Sequence, residues 1–289
     1  MSGYRRFAIF LIILGIVLAV ASGYRGFGYY LLPTAEKFHH PLHNELKPSG
    51  SWGHAFGFIG TFIILLNFLY SLRKRYDFGE RLGDLRYWLE FHMFVGFVGP
   101  ILIIYHSTLK FQGIIATVSF FSMSIVVLSG IIGRYIYGKV PHRLNGTLMT
   151  LSELDKLNEE LTQKLREQLQ DAEALFERCE RLAAVEDFEE KRGPRLLVTV
   201  IWHDLLDLKN RLLGREHFPL EGVEPKAARQ LRKLLRRKIT LTRRLALYDV
   251  LRRLLATWSF VHRKLAWVMF ITLTVHVVVT VLLGFRWVF

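Results

Sequence analysis

The chain has 289 residues, 51% of them hydrophobic and 13% aromatic, yet it carries 39 Lys+Arg against 25 Asp+Glu for a formal charge of +14. A positive mean hydropathy of +0.24 excludes a disordered chain, which needs low hydrophobicity, and the length gives a prior of about two domains. The apolar residues are blocked into stretches of about 20 with few charges, the length that ~30 Å of hydrocarbon requires of a helix, so a purely soluble globule is excluded as well.

The first such stretch runs from Phe7 to Ala21 behind Arg5 and Arg6. A basic start, an apolar core and Ala19-Val20-Ala21 fit a signal peptide; a retained anchor helix fits equally and is the expectation adopted. Further stretches run from Trp52 to Leu72, Tyr87 to Leu109, Gly113 to Tyr137 and Trp258 to Leu283. The expected fold is therefore all-α, a polytopic membrane helix bundle of about five spans.

Lys and Arg beside the span ends set the orientation. Arg73-Lys74-Arg75 with Arg81 and Arg86 lies between the second and third spans, and Arg134, Lys139 and Arg143 follow the fourth. Both groups belong on the cytoplasmic side, with the N-terminus. Residues 24–51 and the link Lys110 to Gly113 then lie outside, and the C-terminus emerges outside at Phe289. The expected location is the cell inner (plasma) membrane.

Residues 139–257 differ in kind, and they separate the spans of 1–138 from the last span in 258–289. Charges of both signs alternate with Leu154, Leu157, Leu161, Leu165 and Leu169 at helical spacing. Thr150 and Glu153 form a capping box opening that helix. Gly193-Pro194 breaks it, Leu196 to Leu213 is a second helix, and Gly214 to Glu224 with Pro219 is a loop. A third helix begins near Pro225, a favourable first-turn position, and is expected to run unbroken into the last span. The expectation is a cytoplasmic helical hairpin insertion formed within one chain, since the heptad fragments are too short for a coiled-coil dimer. His203 beside Trp202 has no second histidine at ligand spacing, and Asp204 and Asp207 make no acid/base pair.

Cys179 is the single cysteine, which excludes an intrachain disulfide, a thiolate zinc site and a CxxCH haem attachment. A pI near 10 accompanies no nucleic-acid recognition motif, so no nucleic-acid partner is expected. The chemistry sits in the histidines. Of eleven, five fall in or beside the spans: His54, His92, His106, His262 and His276, and ionisable residues at membrane depth are functional by default. His92 and His106 are 14 residues apart on the third span, as are His262 and His276 on the fifth. Fourteen residues advance a helix by about 21 Å and return it to within roughly 40° of its starting face.

Both spans run from inside to outside, so His92 and His262 share the cytoplasmic level, and His106 and His276 the outer one. Two imidazole pairs at two depths match two bis-histidine haems, in a bundle of the kind that builds cofactor sites from facing helices. Zinc or copper fits less well, because no carboxylate or thiolate stands at these levels. Gly96 and Gly99 lie between the histidines of the third span, open either to the approach of a flat macrocycle or to ordinary helix packing. Pro100 is a candidate kink, and Phe91, Phe94, Phe97, Trp267 and Phe270 are candidate pocket walls. Arg263 and Lys264 either pair with haem propionates or snorkel at the membrane edge. His54 has three open roles: a further ligand, a propionate partner or a quinone contact.

The two 13-to-14-residue histidine spacings resemble those of the di-haem b-type cytochromes. The likeness is to the transmembrane domain of the ferric reductase and NADPH oxidase superfamily, whose third and fifth helices carry the pairs, and also to the cytochrome b of quinol-oxidising respiratory complexes. It covers spans two to five and implies axial pairs His92/His262 and His106/His276 for two haem b. The chain departs from that superfamily in having no GxGxxG and in its insertion between spans four and five. Reduction by NADPH unaided is therefore not expected.

The resemblance implies electron transfer across the membrane, with other subunits, a soluble cytoplasmic redox protein, an outer-face electron carrier or quinone as partners. Alternatives are a quinone-reactive oxidoreductase subunit and, in a different class, a haem-free anchor or sensor. Two further features stand apart. His39, His40 and His43 form HHPLH in the outer segment and read best as a polar loop. The run Arg229, Arg232, Lys233, Arg236, Arg237, Lys238, Arg243 and Arg244 faces anionic headgroups, an acidic electron donor or simply water.

Overall fold

The computed structural model describes residues 3–76, 82–111, 113–142, 147–168, 177, 179, 194–212 and 225–283. Arg81, Arg143, Leu169, Gly193, Leu213, the loop Gly214 to Glu224 and the terminus at Phe289 lie outside the described residues. Those described form helices: α1 (Gly3–Tyr24), α2 (Phe27–Leu31), α3 (His43–Leu46), α4 (Ser51–Leu65), α5 (Asn67–Arg75), α6 (Leu85–Ser107), α7 (Ile114–Lys139), α8 (Leu151–Gln168), α9 (Pro194–Leu212), α10 (Pro225–Ala246) and α11 (Tyr248–Leu282). Five segments are long and apolar enough to cross a membrane: α1, His43–Arg75, α6, α7 and α11. The chain has the architecture of a multi-pass membrane protein.

Two compact units result. One comprises Met1–Arg134, Leu144–Thr147 and Trp258–Phe289, the other Tyr135–Arg143 and Leu148–Thr257. In the first unit α6 is the central helix, packed by α4, α5 and α1; a third of its apolar window is buried, against none of that of α11. The reason is local. A Cβ on Gly60 would stand 3.1 Å from the Gly99 carbonyl oxygen, and one on Gly99 would stand 3.1 Å from that of Gly60 and 2.7 Å from Ile64 Cγ1. Small residues let membrane helices approach backbone to backbone. Pro100 is accommodated within a continuous α6.

One end of this unit is tied by a buried charge. Glu90 on α6 accepts from Arg134 Nη2 on α7 at 3.1 Å and from the Tyr4 hydroxyl on α1, so one carboxylate serves three spans and none of the charge is left unpaired. At the other end of α6, Thr108 and Leu109 take left-handed backbone at φ 48 and 56. The buried Lys37 ammonium donates to the Thr108 carbonyl at 2.8 Å, a cation on the negative end of the helix. Burial, with Lys110 nearby, holds Lys37 below the usual lysine range.

The segment between α1 and α4 is more than a polar loop. Tyr29 is fully buried and gathers the rings of His40 and His43 at 5.5 and 5.9 Å, with its hydroxyl 3.2 Å from His43 Nδ1. His40 Nδ1 accepts from the Leu42 amide at 3.1 Å. Two of the three histidines of HHPLH are thus engaged in packing and turn formation, a role that spacing alone does not reveal.

In the second unit α8 packs on α10 through Leu161, Leu165, Cys179, Leu231 and Leu235. The capping box forms as expected: the Thr150 amide donates to Glu153 Oε2 at 3.0 Å, and the Glu153 amide to Thr150 Oγ1 at 3.3 Å. Asp204 pairs with Lys139 and accepts from Tyr135, a structural role. Only Leu247 separates α10 from α11, and helical hydrogen bonding passes through it: the Leu247 amide donates to the Arg243 carbonyl at 3.0 Å and the Leu251 amide to the Leu247 carbonyl at 2.9 Å. Leu247 and Leu251 bury with Val140 and Val200, and Tyr248 donates to the Met149 carbonyl at 2.6 Å.

The Gly60–Gly99 crossing is open to a direct check. Gly60→Leu forces side-chain volume against Ile103 Cδ1 at 3.0 Å and the Gly99 carbonyl, and is expected to cost ~1–3 kcal/mol, the usual scale of overpacking. Gly28, with no atom within 4 Å of an added Cβ, is the control. A thermal-unfolding scan in detergent should show a lower midpoint for Gly60→Leu and an unchanged one for Gly28→Leu.

Candidate functional site

All four paired histidines lie in the first unit, on α6 and α11. His92 and His262 are within electrostatic reach of one another. His106 is within reach of His276 and of His54. Each histidine of α6 thus has one histidine of α11 within electrostatic reach, and His54 lies within reach of His106 as well. His92, His106 and His262 each meet a group from a third helix.

His106 Nδ1 lies 2.8 Å from the Gly53 carbonyl oxygen on α4. A carbonyl only accepts, so Nδ1 carries the proton and Nε2 keeps its lone pair. Gly57, one turn further along α4, is bare on the side facing the imidazole: a Cβ there would come within 2.7 Å of His106 Nδ1. The ring can occupy its place only because residue 57 has no side chain.

His262 Nδ1 lies 3.0 Å from Ser129 Oγ on α7. Trp258, one turn earlier on α11, stacks on the His262 ring at 5.0 Å and 24° and donates its indole N–H to the Ser129 carbonyl at 2.9 Å. Gly133 makes the space for that indole, since a Cβ there would collide with the ring at 1.7 Å. Residue 129 therefore fixes both the histidine and its stacking partner, one through the side chain and the other through the backbone.

His92 carries the Tyr70 ring at 5.0 Å. The Asn67 backbone on α5 lies beside the ring, short of a well-formed hydrogen bond to its buried Nδ1. Beside it, Gly96 has Asn67 Oδ1 as nearest neighbour, 3.4 Å from an added Cβ. Gly99, by contrast, belongs to the helix crossing, and the space over it is filled by Ile64.

The aromatic residues divide. Phe94 packs on Gly15 of α1, 3.6 Å from an added Cβ, and Phe97 is exposed. Trp267 and Phe270 close on Phe68 at 6.1 and 5.0 Å. Arg263 is exposed and its Nε donates to the Ser259 carbonyl at 3.2 Å, while its charge is felt by Lys74 on α5. Among the described residues no three His, Cys, Asp or Glu side chains gather as a metal-holding group. A bis-histidine haem needs only two protein ligands, the macrocycle supplying the other donors.

Sequence reasoning missed Gly53, Gly57, Ser129 and Trp258. The signal was present as small residues at interface spacing: Gly53 and Gly57 in the second span, and Ser129, Gly130 and Gly133 in the fourth. Comparison with protein-family models, with curated proteins and with solved structures finds no match.

The ring anchors predict a tautomer pattern independent of any cofactor. In 15N spectra of histidine-labelled protein, His106 should appear as the Nδ1–H tautomer. Ser129→Ala should change the His262 resonances and leave those of His106 in place. Equal disturbance of both rings would remove Ser129 as a specific anchor.

Proposed function

We propose that this chain is the membrane cytochrome b subunit of an oxidoreductase complex, carrying two b-type haems on the axial pairs His92/His262 and His106/His276. What supports this reading is the repeated 14-residue histidine spacing on α6 and α11, with His262 within electrostatic reach of His92 and His276 of His106. The donor set suits the group: the Gly53 carbonyl engages His106 Nδ1 and so would leave its Nε2 for iron, and Ser129 holds the His262 ring at Nδ1. When bound, two haems supply one-electron chemistry at two depths in the membrane.

The chain's own residues set the conditions for that chemistry. Gly53 and Ser129 fix ring orientation, and the Gly53 carbonyl raises the basicity of the opposite nitrogen of His106, the usual work of groups that hold a metal-ligating histidine. Trp258 and Tyr70 cover the cytoplasmic-level pair and exclude water. Lys74 and Arg263, two cations in mutual reach, supply positive charge for haem carboxylates on that side. His54 is placed to contact the edge of the outer pair, a propionate or a quinone.

The positive-inside rule orients the spans with the N-terminus and the α8–α10 unit in the cytoplasm and the C-terminus outside, in the plasma membrane. Electrons then cross between a partner at the cytoplasmic face and an outer-face carrier or quinone.

Haem content of the purified protein tests the reading. The wild type should hold two haems per chain, and His92→Ala, His262→Ala and the double variant should each retain one, the same one. His92→Ala with His276→Ala should retain neither. A chain with no reducible b-type signal would be a haem-free anchor or sensor, and a haem surviving in the His92/His276 double variant would overturn the pairing.

A further inference from the structure

We propose that the outward face of α10 is the docking site for a soluble, acidic electron-donor protein. Among its 22 residues α10 has nine Lys and Arg and no Asp or Glu. Lys226, Arg229, Lys233, Arg236 and Arg237 are all exposed. At 3.6 residues per turn and 1.5 Å rise they fall within an arc of about 100° over about 17 Å of helix. None of the five has an acidic partner among the described residues.

That arrangement is costly unless something anionic meets it. Arg229, Lys233 and Arg237 follow one another at four-residue intervals, and like charges at that spacing destabilise a helix. A face that merely kept the helix in water would interleave signs, as its neighbour does. The exposed side of α8 mixes Asp155, Glu159, Glu160 and Glu167 with Lys156, Lys164 and Arg166. The two helices share a unit and solvent exposure, so solvation does not account for the difference.

The opposite side of α10 decides between occupants. A helix that lies in a lipid surface buries its apolar face among the acyl chains. Here that face is taken: Leu231 and Leu235 pack on Leu161, Leu165 and Cys179, and the buried Lys238 donates to Asn158 Oδ1 at 3.1 Å and to Thr162 Oγ1 at 2.7 Å. What remains is a rigid array of positive charge with no apolar component. Charge complementarity of that kind steers a soluble partner and governs its association rate.

The docking surface stands on α10 alone, whereas the partner's role as electron donor rests on the electron-transfer reading of the histidines. The test uses the full chain in discs of uncharged phosphatidylcholine, with a plant-type [2Fe–2S] ferredoxin as the acidic probe. Binding should weaken steeply as salt rises through the range where the Debye length falls to about 10 Å and below. Arg229→Gln/Lys233→Gln/Arg237→Gln should weaken it at least about tenfold at low salt and flatten the salt dependence, while Lys156→Gln/Lys164→Gln on α8 leaves it unchanged. The triple variant should fold no less well, since it removes repulsion, and a thermal scan checks that.

Equal binding by wild type and triple variant, or no binding of the probe, overturns the proposal. So does capture of phosphatidylserine vesicles through the same residues in preference to ferredoxin. The haem spectrum of the same samples reports separately: docking without haem overturns the donor role alone, and two haems without docking overturn the docking face alone.

Discussion

Gly60 and Gly99 bring the second and third spans into backbone contact, each carbonyl 3.1 Å from the point where the other residue's Cβ would stand, and the placement of His106 depends on that crossing. Only helices this close can offer the Gly53 carbonyl to an imidazole on the neighbouring span at 2.8 Å. The same crossing sets the depth of α6 in the first unit and so the height of His92, fourteen residues earlier. In hydrocarbon, close packing and polar contacts hold helices together because burial of apolar surface supplies no preference for helix over lipid. A run of glycines on one face is therefore a positive instruction in a span, although in a soluble helix it would be a cost.

The fifth span is attached by other means. It meets its neighbours through side chains: Trp258 in the notch at Gly133, His262 on Ser129, Ser122 on Thr272 at 2.9 Å, and Phe68 between Trp267 and Phe270. None of its apolar window is buried within the protein, whereas α6 is central. One histidine-bearing helix is thus locked by backbone contact and the other by a few polar and aromatic keys. A site assembled between such unequal helices gains from any group that bridges them, because ligation by both rings would supply the tie that helix packing does not.

Much of this was legible in the residues, and the reasons differ by element. Span count followed from apolar length, which the bilayer imposes without reference to any neighbour. That His92 and His106 share one span, and His262 and His276 another, followed from the spacing, since a fourteen-residue interval fits within one helix and returns to nearly the same face. The holders of the rings did not follow. Gly53 acts through its carbonyl, and every residue has one; only the bare face at Gly57 hinted at an approach there. Ser129 is one hydroxyl among several in its span, and nothing local singles it out. The packing of Leu247 and Leu251 on Val140 and Val200 was hidden for a related reason, since those partners come from distant parts of the chain. Local rules read what the solvent dictates, and tertiary contacts overrule them.

The charge follows the same division. An excess of basic residues in a membrane protein has a ready explanation in topology, and Arg73, Lys74 and Arg75 at the end of α5 need no other. Topology asks only for charge near a span end, within about 15–20 residues. Lys226 to Arg237 stand 22 to 11 residues before Tyr248, where α11 begins, so most of them lie within that range. Topology accounts for charge at that distance but not for its gathering on one arc of a helix whose other side is already buried. That arc, beside the mixed signs of α8, is what the proposed docking of an acidic partner would use.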